Sequence, residues 1–211
     1  MIIEKCVVGI MAANCYLLIN ETSKETVIID PGAQFNIIKS KINSMDLKPV
    51  AILLTHGHFD HVMVAKELSD EFEIDIYVSE PEASVLSDAS LNGSNLIRQN
   101  FTLEADILLE KNEVIRLADM DIKVIYTPGH TQGGVCYYIE DQEILFSGDT
   151  LFFESVGRTD FPTGDHRSLM HSIYRQLLIL PESVKVYPGH GGETTIGHEK
   201  ENNLFIREYR R

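Results

Sequence analysis

The chain of 211 residues has room for one sizeable core and too little length for two comfortable domains. Its 44% hydrophobic and 24% charged residues are the balance of an ordinary soluble globular domain. A net charge of −14, from 32 acidic against 18 basic residues, argues against a nucleic-acid partner, because gripping a phosphate backbone requires a basic face.

In chain order, residues 2–8, 14–20 and 26–30 are apolar or β-branched segments parted by Gly9 and by a polar turn at 21–24, and they predict three strands. The apolar stretch 7–19 fails as a secretory leader: Glu4 offsets Lys5, leaving no positive start, and Gly9 and Asn14 interrupt the run. It is also shorter than the ~20 residues that cross a bilayer. No membrane partner and a cytoplasmic location are expected. Cys6, Cys15 and Cys136 are odd in number and include no C-x-x-C pair, which predicts free buried thiols rather than disulfides or a zinc knuckle.

Asp30-Pro31-Gly32 breaks the sheet, and Phe35, Ile38 and Ile42 recur at helical spacing, predicting a helix over 34–45. Residues 50–54 form a continuous apolar run that suits a buried strand. A helix is predicted over 62–72, a strand over 74–78, a helix starting near Pro81, and an irregular stretch over 87–100. Strands return at 113–117, 122–127, 134–139 and 143–147. Asp165 is placed to cap a helix reaching Leu180, with Leu169, Ile173 and Leu177 on one face. A strand at 184–187 and a helix from about His198 follow. This alternation implies an α/β fold of two sheets face to face, with helices outside.

The strongest chemical signal is T-H-G-H-F-D-H at residues 55–61, between an apolar strand and a helix. Residues two apart on an extended segment point the same way, so His56 and His58 can converge on one cation. Asp60 and His61 lie where the chain turns into the helix and can face a second. Imidazole and carboxylate suit zinc, manganese or iron. Three later turns each follow a strand and carry a donor: His130 in T-P-G-H-T, Asp149 in S-G-D-T and His190 in Y-P-G-H-G. Two ions with three private ligands each and one shared carboxylate need seven donors. The sequence offers His56, His58 and His130 for one ion, Asp60, His61 and His190 for the other, and Asp149 as the bridge.

This order of ligands resembles the metallo-β-lactamase superfamily from residue 30 onward. Within it, G-D-T-L-F at 148–152, G-R-T-D-F-P at 157–162 and P-G-H-G-G at 188–192 resemble the short glyoxalase II-like hydroxyacylglutathione hydrolases. The resemblance implies a single-domain αββα sandwich with metals at one edge of the sheets, and Asp30 orienting the ligand loop from behind. It implies two divalent ions, zinc first, with iron or manganese compatible. The expected reaction is hydrolysis of a small-molecule thioester of the S-lactoylglutathione type by metal-activated water, with Asp60 and Asp149 as the catalytic carboxylates. Arg158 matches the position where glyoxalase II enzymes set a cation against a glutathione carboxylate; an Arg158–Asp160 ion pair bracing the loop is the other role open to it. The tyrosine those enzymes carry two residues later is Asp160 here. Their C-terminal helical domain is not expected in this chain.

Other activities share parts of the pattern. A persulfide dioxygenase of the same fold also carries G-R-T-D-F and would hold one iron through His56, His130 and Asp149. The G-D-T-L-F and F-P-T-G-D context favours hydrolysis. A lactonase-type hydrolase stays open, and a β-lactamase is disfavoured because it should be exported. His166, His171 and His198 are expected at surfaces or caps, and Phe161 and Tyr187 in the core.

Overall fold

The computed structural model describes residues 1–209. Its first six strands are β1 (Ile2–Val8), β2 (Ala13–Ile19), β3 (Glu25–Ile29), β4 (Lys48–Leu53), β5 (Ile76–Ser79) and β6 (Ile107–Leu109), which form one sheet in that order. Pairing is antiparallel from β1 to β3 and parallel from β3 to β6. Parallel neighbours need crossovers. These are α1 (Phe35–Ser44), the pair α2 (Phe59–Val62) and α3 (Ala65–Phe72), and α4 (Ala83–Leu86).

The second sheet begins with β7 (Val114–Leu117), β8 (Met120–Tyr126), β9 (Val135–Ile139) and β10 (Ile144–Gly148), all antiparallel. A small hairpin, β11 (Leu151–Phe152) with β12 (Ser155–Val156), then leads to α5 (His166–Ser172). The chain returns as β13 (Lys185–Pro188), parallel to β10, and β14 (Thr194–Thr195) at the sheet edge. Helices α6 (Ile196–Asn202) and α7 (Leu204–Tyr209) follow.

Strand alternation sorts the side chains into layers. On β2, Cys15, Leu17 and Ile19 pack with Ile38 and Ile42 of α1 and Leu68 of α3. The intervening Tyr16 and Leu18 pack with Tyr137 and Phe146 of the second sheet. Across that sheet, Cys136 and Leu145 pack with Leu169 and Met170 of α5. The order is helix, sheet, sheet, helix, as the alternation predicts. All three cysteines are free and buried. No helix among the described residues is long and apolar enough to cross a membrane.

Three details differ from the sequence-based expectation. The helix predicted from Asp165 to Leu180 is α-helical only over His166–Ser172 and continues as a π-helix over Ile173–Leu177. The helix predicted over 62–72 starts earlier, at Phe59, and breaks at Val64, whose N–H donates to the Pro31 carbonyl at 3.2 Å instead of extending the ladder. Four very short strands, β6, β11, β12 and β14, carry too few residues for periodicity to register.

Candidate metal centre

Five strand ends meet at one edge of the sandwich: β3 leads into Asp30, β4 into Thr55 and the histidine run, β8 into His130, β10 into Asp149 and β13 into His190. Ligand sites in such folds lie beyond the carboxyl ends of strands. All seven predicted donors come together there. His56, His58 and His130 form one group, and Asp60, His61 and His190 another, with the candidate ligand atoms of each group within 4.8 Å of one another. Asp149 lies between them: Oδ2 is 3.5 Å from His130 Nε2 and 3.6 Å from His190 Nε2, and Oδ1 is 3.5 Å from His61 Nε2.

The imidazoles are aimed from behind. Asp30, in the left-handed region at φ 51°, accepts the Thr55 N–H on Oδ1 at 2.8 Å and the Thr55 hydroxyl on Oδ2 at 2.6 Å. The same Oδ2 lies 3.2 Å from His61 Nδ1, and the Thr55 hydroxyl lies 3.0 Å from His56 Nδ1. His130 Nδ1 sits 2.7 Å from the Arg158 carbonyl and donates to it. In all three rings Nδ1 is engaged and Nε2 is left for the centre. Two glycines make the packing possible. Gly148 takes φ +48°, and a Cβ on Gly189 would stand 2.2 Å from Asp149 Oδ1.

Charge is arranged unevenly. Burial, reinforced by the neighbouring imidazoles, holds His56 well below its ordinary pKa and brings His58 down to about 3. These rings are therefore neutral, the form that ligates a cation. Around His61, burial opposes charge but Asp149, Asp60 and Asp30 outweigh it and raise the ring to about 10. Burial pushes the Asp60 carboxyl up, yet the charge of His61 and the His190 hydrogen bond overcome it and hold the group below the usual carboxylate range. Of the four buried side-chain polar atoms with no hydrogen-bond partner among the described residues, two, His56 Nε2 and Asp149 Oδ1, belong to the candidate ligands. An unsatisfied buried group of this kind costs about 1–3 kcal/mol, and a bound cation removes the cost. The histidine and aspartate groups fit a binuclear metal site.

Glu82 was not foreseen as part of this edge. Wholly buried, it accepts the Gly57 N–H on Oε1 and the Gly133 N–H on Oε2, both at 2.8 Å. It thereby ties the loop of His56 and His58 to the loop of His130, and burial raises its carboxyl to about 7. Asn14 and Tyr16 were missed too. The Asn14 side chain donates to the Pro188 and Gly191 carbonyls at 2.8 and 3.1 Å, and the Tyr16 hydroxyl donates to Pro188 at 2.7 Å. Both hold the turn that carries His190. In the sequence these residues look like any acidic or core strand position.

A cavity of about 350 Å³ opens above the centre, with His58, Asp60, His130, Asp149 and His190 in its lining. Phe161 also lines it, 5.1 Å from the His58 ring, which corrects the expectation of a core role; Tyr187 does pack between the sheets. Arg158 is at the cavity and also makes the ion pair with Asp160, through Nε and Nη2 at 2.7 Å each. His166 and His171 are exposed. His198, whose backbone N–H donates to Thr195 at the start of α6, pairs with Glu154 at 3.0 Å.

The metallo-beta-lactamase superfamily model matches residues 8–190. The chain belongs to that superfamily. It is 38% identical to the Bacillus subtilis protein named probable metallo-hydrolase YqgX over 204 residues, 96% of each chain. It is 34% identical to the hydroxyacylglutathione hydrolase GloC of Haemophilus influenzae, over 92% of each chain. Among solved structures it is similar to the BLEG-1 B3 metallo-beta-lactamase (TM-score 0.93, 39% identity, 97% of this chain and 99% of that one). It is similar also to TTHA1623 in a di-iron-bound form (TM-score 0.85, 35% identity, 96% and 99%). ETHE1 from Myxococcus xanthus superposes at TM-score 0.81 with 26% identity, over 97% and 84%. As a member of this superfamily the chain is a metallo-hydrolase-type enzyme of mixed α/β fold.

Proposed function

We propose that this metallohydrolase cleaves small-molecule thioesters, with S-lactoylglutathione as the model substrate. The observation that carries the reading is the convergence of seven donors, Asp149 between the two groups, five of which line the floor of an open cavity. None of the described residues lining that cavity is a serine, cysteine, threonine or lysine, so this lining offers no hydroxyl, thiol or amine nucleophile of the usual acyl-transfer kind. Divalent ions bound at the donors would supply that chemistry instead, as water activated at neutral pH and polarisation of a carbonyl. His56, His58 and His130 would hold one ion, Asp60, His61 and His190 the other, with Asp149 shared. Asp30 and the Arg158 carbonyl keep the rings aligned. A thiolate leaving group needs little help, since a free thiol has a pKa of ~8.5.

The likeness to a protein named hydroxyacylglutathione hydrolase supports the substrate class. Zinc is the proposed metal, and the same donors accept iron or manganese. The partner proposed is a small molecule rather than nucleic acid or a membrane, and three free buried cysteines support a reducing cytoplasm. The likeness to BLEG-1 supports a second reading, hydrolysis of a β-lactam amide. A persulfide dioxygenase triad would use only His56, His130 and Asp149.

The test is turnover of S-D-lactoylglutathione by protein purified with its native metals, beside nitrocefin hydrolysis and oxygen uptake on glutathione persulfide. Thioester cleavage without oxygen uptake is expected. Oxygen uptake alone, or nitrocefin cleavage alone, overturns the proposal in favour of the corresponding activity.

A further inference from the structure

Above the donors, the cavity wall changes character. Met11 from the β1–β2 turn, Phe59 at the start of α2, Leu96 from the irregular stretch, and Phe152 and Phe161 from the segment after β10 all line it. Met11 and Leu96 are 52% and 69% exposed. Exposed apolar side chains gathered at the mouth of a pocket, rather than scattered singly, mark a binding surface.

The fixed positive charge is sparse. Among the described lining residues Arg158 is the one arginine or lysine. Its guanidinium lies 4.2 Å from the Phe161 ring centroid and is held in two-point contact by Asp160. Glutathione carries two carboxylates, an ammonium and two peptide groups. Against this wall those groups would meet methyl and aromatic carbon, and the available cation is already matched by a carboxylate. Polar groups set against apolar surface without partners lose affinity, whereas hydrocarbon gains it.

We infer that the preferred substrates are thioesters with an apolar acyl chain, the chain seated on Met11, Phe59 and Leu96, and that the thiol need not be glutathione. This rests on the thioester reading and narrows it. In the reaction, water gives its OH to the acyl carbon as the C–S bond breaks and its remaining proton to the departing thiolate, so the products are a carboxylic acid and a thiol.

The experiment measures kcat/KM of the metal-loaded protein on acetyl, butanoyl and hexanoyl thioesters of N-acetylcysteamine, and on the same acyl groups carried by glutathione. Each buried methylene is worth up to about fourfold, so hexanoyl is expected to exceed acetyl at least about tenfold, with the two thiols within about threefold of each other. Leu96→Asn, at an exposed position that folding tolerates, is expected to cut the hexanoyl-to-acetyl ratio at least about threefold. A flat or falling series, or an advantage of about tenfold for glutathione, overturns the inference. Calorimetric binding of S-hexyl- and S-methyl-N-acetylcysteamine, which are thioethers and cannot be hydrolysed, separates the two claims. Tighter hexyl binding with no thioester cleaved would sink the reaction and keep the pocket; equal binding sinks the pocket assignment itself.

Discussion

Asp30 concentrates more of the centre's geometry than any one of the seven donors. Through Thr55 it sets which nitrogen His56 presents, and directly it sets which nitrogen His61 presents. One ring belongs to each group of donors. Asp30→Asn replaces a charged acceptor with an amide whose NH₂ faces donors, so both groups should weaken together. The expected loss is about 10–100-fold in metal affinity, read as metal per chain by elemental analysis; loss of a single ion would show that the groups are aligned independently. His58→Ala should also lose metal, while the exposed His171→Ala keeps it. Glu82 gives a pH test. Its folded pKa of about 7 lies above the ordinary 4.5, so between those values the folded chain binds a proton that the unfolded chain has released. Its contribution to stability is complete below about 4.5 and is lost as pH rises to about 7. At 1.36 kcal/mol per unit the swing is about 3 kcal/mol. Denaturant midpoints compared across that window should show a slope in the wild type that Glu82→Gln removes.

Among the elements, the β1–β2 hairpin does two jobs. Its turn contributes Met11 to the pocket, and Asn14 and Tyr16 of β2 grip the turn after β13, where Ala13 also bridges to His190. Asn14→Ala should cost about 1 kcal/mol by removing its hydrogen bonds to the Pro188 and Gly191 carbonyls, with the ion held by His190 lost first in a metal titration. Gly189→Ala should abolish metal binding outright, because the added methyl occupies the space of Asp149 Oδ1 and His61 Cε1; full metal content in that variant would mean the turn can shift freely. What was legible in the sequence follows the same division. H-x-H-x-D-H is local, its strand and turn are local, and its capacity to ligate is written in the residue types and spacing. The strand-end turns of His130, Asp149 and His190 were legible because strand, proline or glycine, and donor repeat together. Asn14 meets Pro188 across 174 residues and Glu82 meets Gly133 across 51, and no periodicity carries such pairings. Phe161 was misjudged for a related reason: aromatic residues fill cores and line pockets alike, and only the fold decides.

For the molecule as a whole, a net charge of −14 with the Asp30, Asp60 and Asp149 carboxylates packed among the imidazoles favours the cation-bound form. An ion present at 1,000 times its Kd adds about 4 kcal/mol to folding stability. Chelation should therefore lower Tm, and returning zinc, iron or manganese should restore it; an unchanged Tm would mean that the edge closes without ions. The division of the donors between the sheets reaches further. His56 and His58 await His130, and Asp60 and His61 await His190, with Asp149 also in the later half. A ribosome that has delivered only the first sheet has made chelating pairs but no closed cage. A closed set of three donors for either ion therefore exists only once the second sheet has been made.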